Sequence, residues 1–266
     1  MHRTKIIQLS DLHLTTPGRM LFGASPRERL RLAIEAIRRD HDDAELCLLT
    51  GDLAEAHHEV AYRNLAELIS VLPMPVCPMM GNHDDRTLLR TTLPQLASLA
   101  SAFIQYALDT SAGRFLLLDT AERGTASGFY CEERQEWLGR QLDSHDGPIF
   151  LAMHHPPLAV GIPSMDQFAL RNAEEFWSVI APHRHRIRHI FLGHVHRPIG
   201  GSWHGIPLSC THSPNHQVAL DLTALPALGD VPGCQEPPSF VVALIDETSV
   251  VVHHQAFLET GERFWI

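Results

Sequence analysis

Five short motifs in this 266-residue chain contain side chains of the kinds that bind metal ions. In chain order they are Asp-x-His, Gly-Asp, Gly-Asn-His-Asp, His-His-Pro-Pro and Gly-His-x-His. Carboxylate oxygen and neutral imidazole nitrogen are ligands that suit Zn, Fe and Mn. The single residue between the two ligands of Asp-x-His and of His-x-His places both side chains on one side of an extended segment. The candidate ligands are Asp11, His13, Asp52, Asn82, His154, His194 and His196.

Each of these motifs follows a short apolar run that predicts a β-strand. The runs are almost continuously apolar, which is typical of strands that are buried on both faces of a sheet. In open α/β sheets, ligands bind at the carboxyl ends of the strands. We therefore expect side chains that are far apart in sequence to converge at one edge. The predicted strands, with a sixth that leads into Asp119-Thr120, are 5–9, 46–49, 76–80, 115–118, 149–153 and 190–192.

Amphipathic patterns between the runs predict helices, so the sequence indicates an α/β fold. Ser25-Pro26-Arg27-Glu28 is a capping box with proline at the first helical position, and an apolar stripe over 30–37 follows it. A second stripe covers 65–72, and Asn172 with Glu175 is predicted to cap a third helix. From 200 to 233 the chain is rich in Gly, Pro, Ser and His, and two strands are then predicted over 239–245 and 249–254. We interpret this last part as a second layer or cap on the main domain.

Composition and charge narrow the range of partners. The net charge is −10 with histidine neutral, and nucleic-acid affinity comes mainly from Lys and Arg on phosphates, so we expect no nucleic acid polymer as a partner. No apolar run approaches the roughly 18–20 residues that cross a bilayer, and the N-terminal apolar stretch is too short for a signal peptide. We therefore expect a cytoplasmic protein without a membrane partner. The five cysteines are odd in number and lack CxxC spacing, which favours reduced thiols.

Taken together, the motifs resemble those of the calcineurin-like binuclear metallophosphoesterases. The branch of class III cyclic nucleotide phosphodiesterases and glycerophosphodiesterases is the more similar one, because of Gly81-Asn82-His83-Asp84-Asp85 and Met153-His154-His155-Pro156-Pro157-Leu158. The resemblance covers about 1–217. It implies a four-layer α/β/β/α sandwich, with a catalytic domain over 1–200 and a small C-terminal cap over 201–266 that completes the second sheet. It also implies a homo-oligomer, a dimer or higher, with contacts through the cap.

Carried over by position, the resemblance implies two metal sites that share one carboxylate. The first site would use Asp11, His13, Asp52 and His196, and the second would use Asp52, Asn82, His154 and His194. The two divalent ions would be Fe, Mn, Zn or Co, between which the ligands do not choose. An asparagine oxygen is a neutral and weaker ligand, so we expect the second site to bind its metal less tightly.

The chemistry that such a site implies is attack of a metal-bound hydroxide on phosphorus. Two divalent ions, two carboxylates and one hydroxide leave a local charge of about +1, which lets an acidic chain attract the single negative charge of a phosphodiester. We expect His83 to act as the general acid or as a donor to phosphate oxygen. Asn82, His83, His194 and His216 are the predicted substrate-binding residues.

Other polar residues near the motifs have less specific interpretations. Glu55 lies three residues after Asp52 and is predicted either to orient His83 or to be solvated at a helix start. His155 is interpreted as structural or as supporting the ligands. Asp84 and Asp85 are interpreted as a turn and as the N-cap of the next helix.

The leading hypothesis is a metal-dependent phosphodiesterase for small diesters, either 3′,5′-cyclic nucleotides or glycerophosphodiesters. The Asp-Arg-Gly segment that follows the shared aspartate of protein Ser/Thr phosphatases is absent from this sequence. The alternatives are a phosphomonoesterase or nucleotide pyrophosphatase of the same superfamily, or a non-catalytic metal-binding scaffold.

Overall fold

The structure is a computed structural model that describes residues 3–55, 58–97, 99, 101–223, 227, 229–258, 261 and 264–265. His57, which we interpret from the sequence as a surface histidine, lies outside these described residues. The strands are β1 (Thr4–Leu9), β2 (Leu46–Leu49), β3 (Val76–Pro78), β4 (Tyr106–Thr110), β5 (Gly113–Leu118), β6 (Ile149–Met153), β7 (Ile187–Leu192), β8 (Ile199–Trp203), β9 (Ile206–Cys210), β10 (Gln217–Val218), β11 (Gly233–Cys234), β12 (Ser239–Ile245) and β13 (Val250–Ala256). The helices are α1 (Pro26–Asp40), α2 (Glu59–Ile69), α3 (Arg86–Thr92), α4 (Pro94–Ala97), α5 (Glu132–Asp143), α6 (Pro163–Asp166) and α7 (Ala173–Ile180), and a 3-10 turn covers Ala181–His183.

Two mixed sheets form the centre of the fold. The first has the order β13-β12-β1-β2-β3 and the second has the order β4-β5-β6-β7-β9-β8. Within each sheet the strands that precede the candidate ligands are parallel to one another, so their carboxyl ends meet at one edge. A small ribbon of β10 and β11 lies outside both sheets.

Alternation along the strands builds three hydrophobic layers, because successive side chains point to opposite faces. In β1, Ile6 belongs to the core between the two sheets, whereas Ile7 packs in the layer shared with α1 and α2. On the far side, the second sheet packs against α5 and α7. The architecture is therefore the four-layer α/β/β/α sandwich that the family resemblance implies.

The helix predictions hold with local corrections. Ser25 Oγ accepts a hydrogen bond from Glu28 N, and the stripe of α1 is buried. The second helix ends at Ile69, three residues before the predicted stripe does. Asn172 lies at the N-cap position of α7, but its side-chain amide bonds both backbone polar groups of Tyr130 instead of capping the helix.

The C-terminal part of the chain contributes strands to both sheets. Strand β12 pairs antiparallel with β1 in the first sheet, and β9 pairs parallel with β7 in the second. The expected boundary at residue 200 falls within β8. Among the described residues, no helix is long and apolar enough to cross a bilayer.

Candidate metal centre

The seven candidate ligands all lie just beyond the carboxyl ends of strands, as the sequence predicts. Asp11 and His13 follow β1, Asp52 follows β2, and Asn82 follows β3. His154 follows β6, and the remaining two ligands, His194 and His196, follow β7. Five of the seven have positive φ, which non-glycine residues adopt at a cost and which is concentrated at functional sites.

Glycines let these loops approach one another. A Cβ on Gly81 would lie 2.1 Å from Asp52 Oδ1, and a Cβ on Gly51 would lie 2.6 Å from His154 Nδ1. Side chains at either position would therefore displace a candidate ligand. The Gly-Asp and Gly-Asn-His-Asp motifs therefore need glycine because the loops pack closely, in addition to any turn that the glycine allows.

Backbone hydrogen bonds hold the ligand loops together. Asp11 N donates to Gly51 O and His13 N donates to Asp52 O, both at 2.9 Å. Two carboxylate oxygens also accept from neighbouring loops, since His194 N donates to Asp11 Oδ1 at 3.0 Å and His83 N donates to Asp52 Oδ1 at 2.9 Å. The carboxylates are thus fixed through one oxygen each, and the other oxygen of Asp52 lies 3.3 Å from His154 Nε2 and 3.7 Å from His13 Nε2.

In the first expected metal site, two histidine nitrogens that can only accept hydrogen bonds face each other. His13 Nδ1 bonds Glu55 Oε2 at 2.6 Å and His196 Nδ1 bonds the carbonyl oxygen of His216 at 3.1 Å. Both partners are acceptors, so each Nδ1 carries a proton and each Nε2 has a free lone pair in the neutral ring. These two Nε2 atoms lie 3.1 Å apart. Such a contact between lone pairs requires a cation or a proton.

In the second expected metal site, acceptor atoms also face one another. His154 Nδ1 donates to Thr50 O at 2.8 Å, so its neutral ring turns the Nε2 lone pair toward Asp52 Oδ2 at 3.3 Å and Asn82 Oδ1 at 3.2 Å. Although burial acts to lower the pKa of His154, the adjacent Asp52 and Asp11 carboxylates raise it to about 9. Positive charge is therefore favoured at this position.

Two further ligand atoms, Asp11 Oδ2 and His194 Nε2, are buried and have no hydrogen-bond partner among the described residues. An unpartnered buried polar atom is costly, and native structures rarely contain one without a reason. Together with the facing lone pairs, these atoms fit a divalent cation well. Asp11, His13, Asp52 and His196 lie close enough to share one ion.

The pKa shifts of four of the ligands also suit a metal. Burial would raise the pKa of Asp11, but the charge of His196 lowers it to about 2, and neighbouring histidines likewise hold the pKa of Asp52 well below its usual value. Burial lowers the pKa of both His13 and His194. Ionised carboxylates and neutral imidazoles are the forms that bind metals.

His155 lies beside His154 and His194 but has no free nitrogen. Its Nδ1 accepts from Thr120 Oγ1 at 2.7 Å and its Nε2 donates to Ala126 O at 3.1 Å. With both ring nitrogens engaged, His155 packs behind the ligands. This position agrees with its interpretation as a structural residue.

His83 and Glu55 lie at the open side of the centre. The His83 side chain is 38% exposed, and the charges of Asp52 and Glu55 raise its pKa against the effect of burial. Its Nδ1 lies 3.7 Å from Glu55 Oε2, while the same Glu55 oxygen is 2.6 Å from His13 Nδ1. Glu55 therefore mainly orients His13, a partner that the sequence interpretation did not consider.

Asp84 is the polar residue whose importance the sequence did not reveal. Its buried carboxylate accepts from the backbone N–H groups of Leu53, Ala54 and Gly81 and from the hydroxyl of Tyr62. It thereby ties the loop of Asp52 to the loop of Asn82. Its neighbour Asp85 is the N-cap of α3, as predicted.

The centre opens into a cavity of about 830 Å³. His216 lies in its wall, with its ring centroid 4.7 Å from that of His196 and 5.1 Å from that of His13. Among the described residues that line the cavity, none is Lys or Arg. The apolar part of its lining includes Phe22, Ala126, Met165, Phe168, Val218 and Val231.

Comparisons with known proteins agree with this geometry. Residues 4–198 match the model of the family described as calcineurin-like phosphoesterase. A probable cyclic nucleotide phosphodiesterase of Rhodopseudomonas palustris is 38% identical over 264 residues, which cover 98% of this chain and 95% of that one. A probable glycerophosphodiester phosphodiesterase of Arcobacter nitrofigilis is 27% identical, over 95% of this chain and 93% of its own. The crystal structure of a dimetal phosphatase from Danio rerio has the same fold, with a TM-score of 0.71, 15% identity and coverage of 96% of this chain and 97% of that one.

Proposed function

Because the chain belongs to the calcineurin-like phosphoesterase family, whose members are metal-dependent hydrolases, we propose that it hydrolyses small soluble phosphodiesters. The candidate substrates are 3′,5′-cyclic nucleotides and glycerophosphodiesters, the classes named for its relatives. The observation that carries the proposal is the meeting of potential metal-ligand atoms from five strand ends beside a wide cavity.

Two divalent ions fit the acceptor atoms described above. Asp11, His13, Asp52 and His196 would hold one ion, and Asp52, Asn82, His154 and His194 would hold the other. Asp52 Oδ2 supports a shared role, because it lies 3.7 Å from His13 Nε2 and 3.3 Å from His154 Nε2. When bound, such ions lower the pKa of water and neutralise phosphate charge. The ligand types suit Fe, Mn, Zn or Co.

The chain's own groups position the substrate and supply a proton. His83 is half-buried beside the centre, with its ring centroid 4.8 Å from that of His13, so it can reach a phosphate oxygen or the leaving alkoxide. We assign it the role of general acid or hydrogen-bond donor. Asn82, His194 and His216 border the same space and would contact the substrate.

The charge of the cavity favours a diester over a monoester. Any positive charge beyond the bound ions would have to come from histidine, because the described lining residues include no Lys or Arg. Glu55 adds a carboxylate to the wall. A diester carries one negative charge, and a monoester carries about two at neutral pH, as a phosphorylated side chain does. The monoanion is the better match for a site with so little additional positive charge.

A substrate panel with Mn-loaded enzyme tests this proposal. It compares 3′,5′-cyclic AMP, glycerophosphoethanolamine, bis(p-nitrophenyl) phosphate and p-nitrophenyl phosphate, and we expect at least one diester to exceed the monoester in kcat/KM. A preferred monoester would support the phosphomonoesterase alternative, and stoichiometric metal with no hydrolysis would support a scaffold. Replacement of His83 by alanine should lower kcat by about 100-fold or more with both metals bound. A near-normal kcat would remove it from the mechanism.

We also propose a cytoplasmic homo-oligomer, a dimer or higher, with no nucleic acid polymer or membrane as partner. The net charge of −10 supports the absence of a polyanionic partner. Analytical ultracentrifugation of the purified chain tests the oligomeric state, and a monomer at micromolar concentration would contradict it.

A further inference from the structure

Phe22 occupies a backbone position that disfavours its side chain. Leu21 and Ala24 exchange two backbone hydrogen bonds, Leu21 N to Ala24 O at 2.8 Å and Ala24 N to Leu21 O at 3.0 Å. The two residues between them, Phe22 and Gly23, both have positive φ, 48° and 82°. A two-residue turn of this kind favours Asn-Gly. A phenylalanine there carries a cost of roughly 1–2 kcal/mol in backbone strain.

Burial of the ring does not offset this cost. Phe22 is 68% exposed, although Leu21 beside it is buried. Its ring is directed to the cavity, where it lies with its centroid 4.6 Å from the His216 ring at an interplanar angle of 54°. An exposed aromatic side chain at a strained position next to an active site is best explained by a ligand that covers it.

The surroundings of Phe22 form a site with one polar and one apolar end. The His216 ring contacts both Phe22 and His196, so a single aromatic ring separates Phe22 from a candidate ligand of the first metal site. Gln235 Nε2 donates to Phe22 O at 3.2 Å and connects the turn to the segment after β11. Met165 and Phe168 also line the cavity. A ligand with a phosphate at one end and a flat apolar group at the other fits this arrangement.

We propose that Phe22 is a substrate-specificity residue on which a flat aromatic group of the diester, such as a nucleobase, stacks. This inference rests on the proposed function, since the phosphate of the same ligand would lie at the metal centre. Every nucleobase has an apolar face that can stack on an aromatic side chain. A glycerophosphodiester has no such face. Phe22 therefore favours nucleotide-like diesters over glycerophosphodiesters.

The test uses Phe22→Asn, which removes the ring and gives the turn a residue it prefers. We expect kcat/KM for 3′,5′-cyclic AMP to fall by about 5- to 100-fold, mainly through KM, as expected for loss of one stacking contact. The value for glycerophosphoethanolamine should stay within about twofold. Phe22→Trp, which keeps an aromatic face, should retain the preference for cyclic AMP. Thermal unfolding of Phe22→Asn should occur at the wild-type temperature or above it.

A matched control comes from the turn between β8 and β9. His204 and Gly205 have φ values of 49° and 84°, almost the same backbone as Phe22 and Gly23, but they lie outside the cavity lining. His204→Asn should leave kcat/KM for both diesters within about twofold. Equal losses for both diesters in Phe22→Asn would overturn the proposal, and so would the absence of any change.

A binding measurement separates this proposal from the proposed function. Adenosine carries the base without a phosphate and can be titrated into the Mn-loaded protein by calorimetry. If the wild type hydrolyses no diester, saturable adenosine binding that weakens at least fivefold in Phe22→Asn would still support the stacking site. Equal adenosine affinity in the two proteins, or no adenosine binding by the wild type, would refute it.

Discussion

Replacement of Asp84 by asparagine should destabilise the protein strongly although the residue binds no metal. Its carboxylate accepts from four donors at 2.9–3.1 Å, and the asparagine keeps only one oxygen. If that oxygen replaces Oδ1, the bonds from Leu53, Ala54 and Tyr62 survive, but the new NH2 faces Gly81 N–H. One buried donor left without a partner costs about 1–3 kcal/mol, and bonds to a charged acceptor are the stronger ones. Burial and the charge of Asp52 raise the pKa of Asp84 to about 6, so the neutral asparagine also removes part of the cost of a buried charge. We therefore expect a net loss of about 1–3 kcal/mol.

Urea denaturation of the metal-free protein measures this loss, and a Mn titration followed by calorimetry measures its effect on the site. Metal affinity should fall at least tenfold, because the loop that carries Asn82 is no longer tied to the loop that carries Asp52. Asp85→Asn is the matched control. Asp85 caps α3 through the N–H groups of Thr87 and Leu88, and asparagine caps helices about as well as aspartate. If the two variants are equally stable, the role assigned to Asp84 is wrong.

Three further predictions test other parts of the structure. Glu55→Gln should weaken binding of one Mn ion by about 10- to 100-fold, because Glu55 orients His13; two unchanged affinities in calorimetry would contradict this. Gly81→Ala should abolish stoichiometric metal binding, measured by elemental analysis, because its Cβ would lie 2.1 Å from Asp52 Oδ1; full metal content would show that the loops can separate. Burial lowers the pKa of His189 to about 4 in the folded protein, whereas a histidine in the unfolded chain has a pKa of about 6.5. As the pH falls, the unfolded chain therefore binds a proton before the folded protein does, and the free energy of unfolding decreases between about pH 6.5 and pH 4. Between pH 7 and pH 5 the metal-free wild type should therefore lose about 2 kcal/mol more than His189→Gln in urea denaturation, and an equal loss would refute this.

The parts of the fold that the sequence could predict are those with a continuous apolar signal. Strands β1, β2, β6 and β7 are completely or almost completely buried, so their apolar residues form short runs that predict a strand. Strand β8 was not predicted. It lies at a sheet edge, three of its five residues are exposed, and Gly200-Gly201 gives it no apolar pattern.

The candidate site also has features that the sequence could predict and features that it could not. The candidate metal ligands could be identified because their residue types and spacing are distinctive, and the family resemblance that they carry implies the class of enzyme. The role of Asp84 could not be predicted, since two of its four donors are backbone N–H groups of a loop 30 and 31 residues away in sequence. The contact between Glu55 and His13 was also missed. Its distance of 2.6 Å depends on how two loops pack, and no local pattern encodes that.

The strained backbone and the charge distribution together explain how an acidic chain can bind an anion. The positive φ angles of Asp11, Asp52 and three histidine ligands are held by hydrogen bonds between loops, so the acceptor atoms face one another. Their mutual repulsion creates a strong local preference for cations. Because the described cavity lining lacks Lys and Arg, attraction for phosphate depends almost entirely on the cations that this preference recruits. The remote negative charges of the chain matter less, since they are screened over about 8–10 Å.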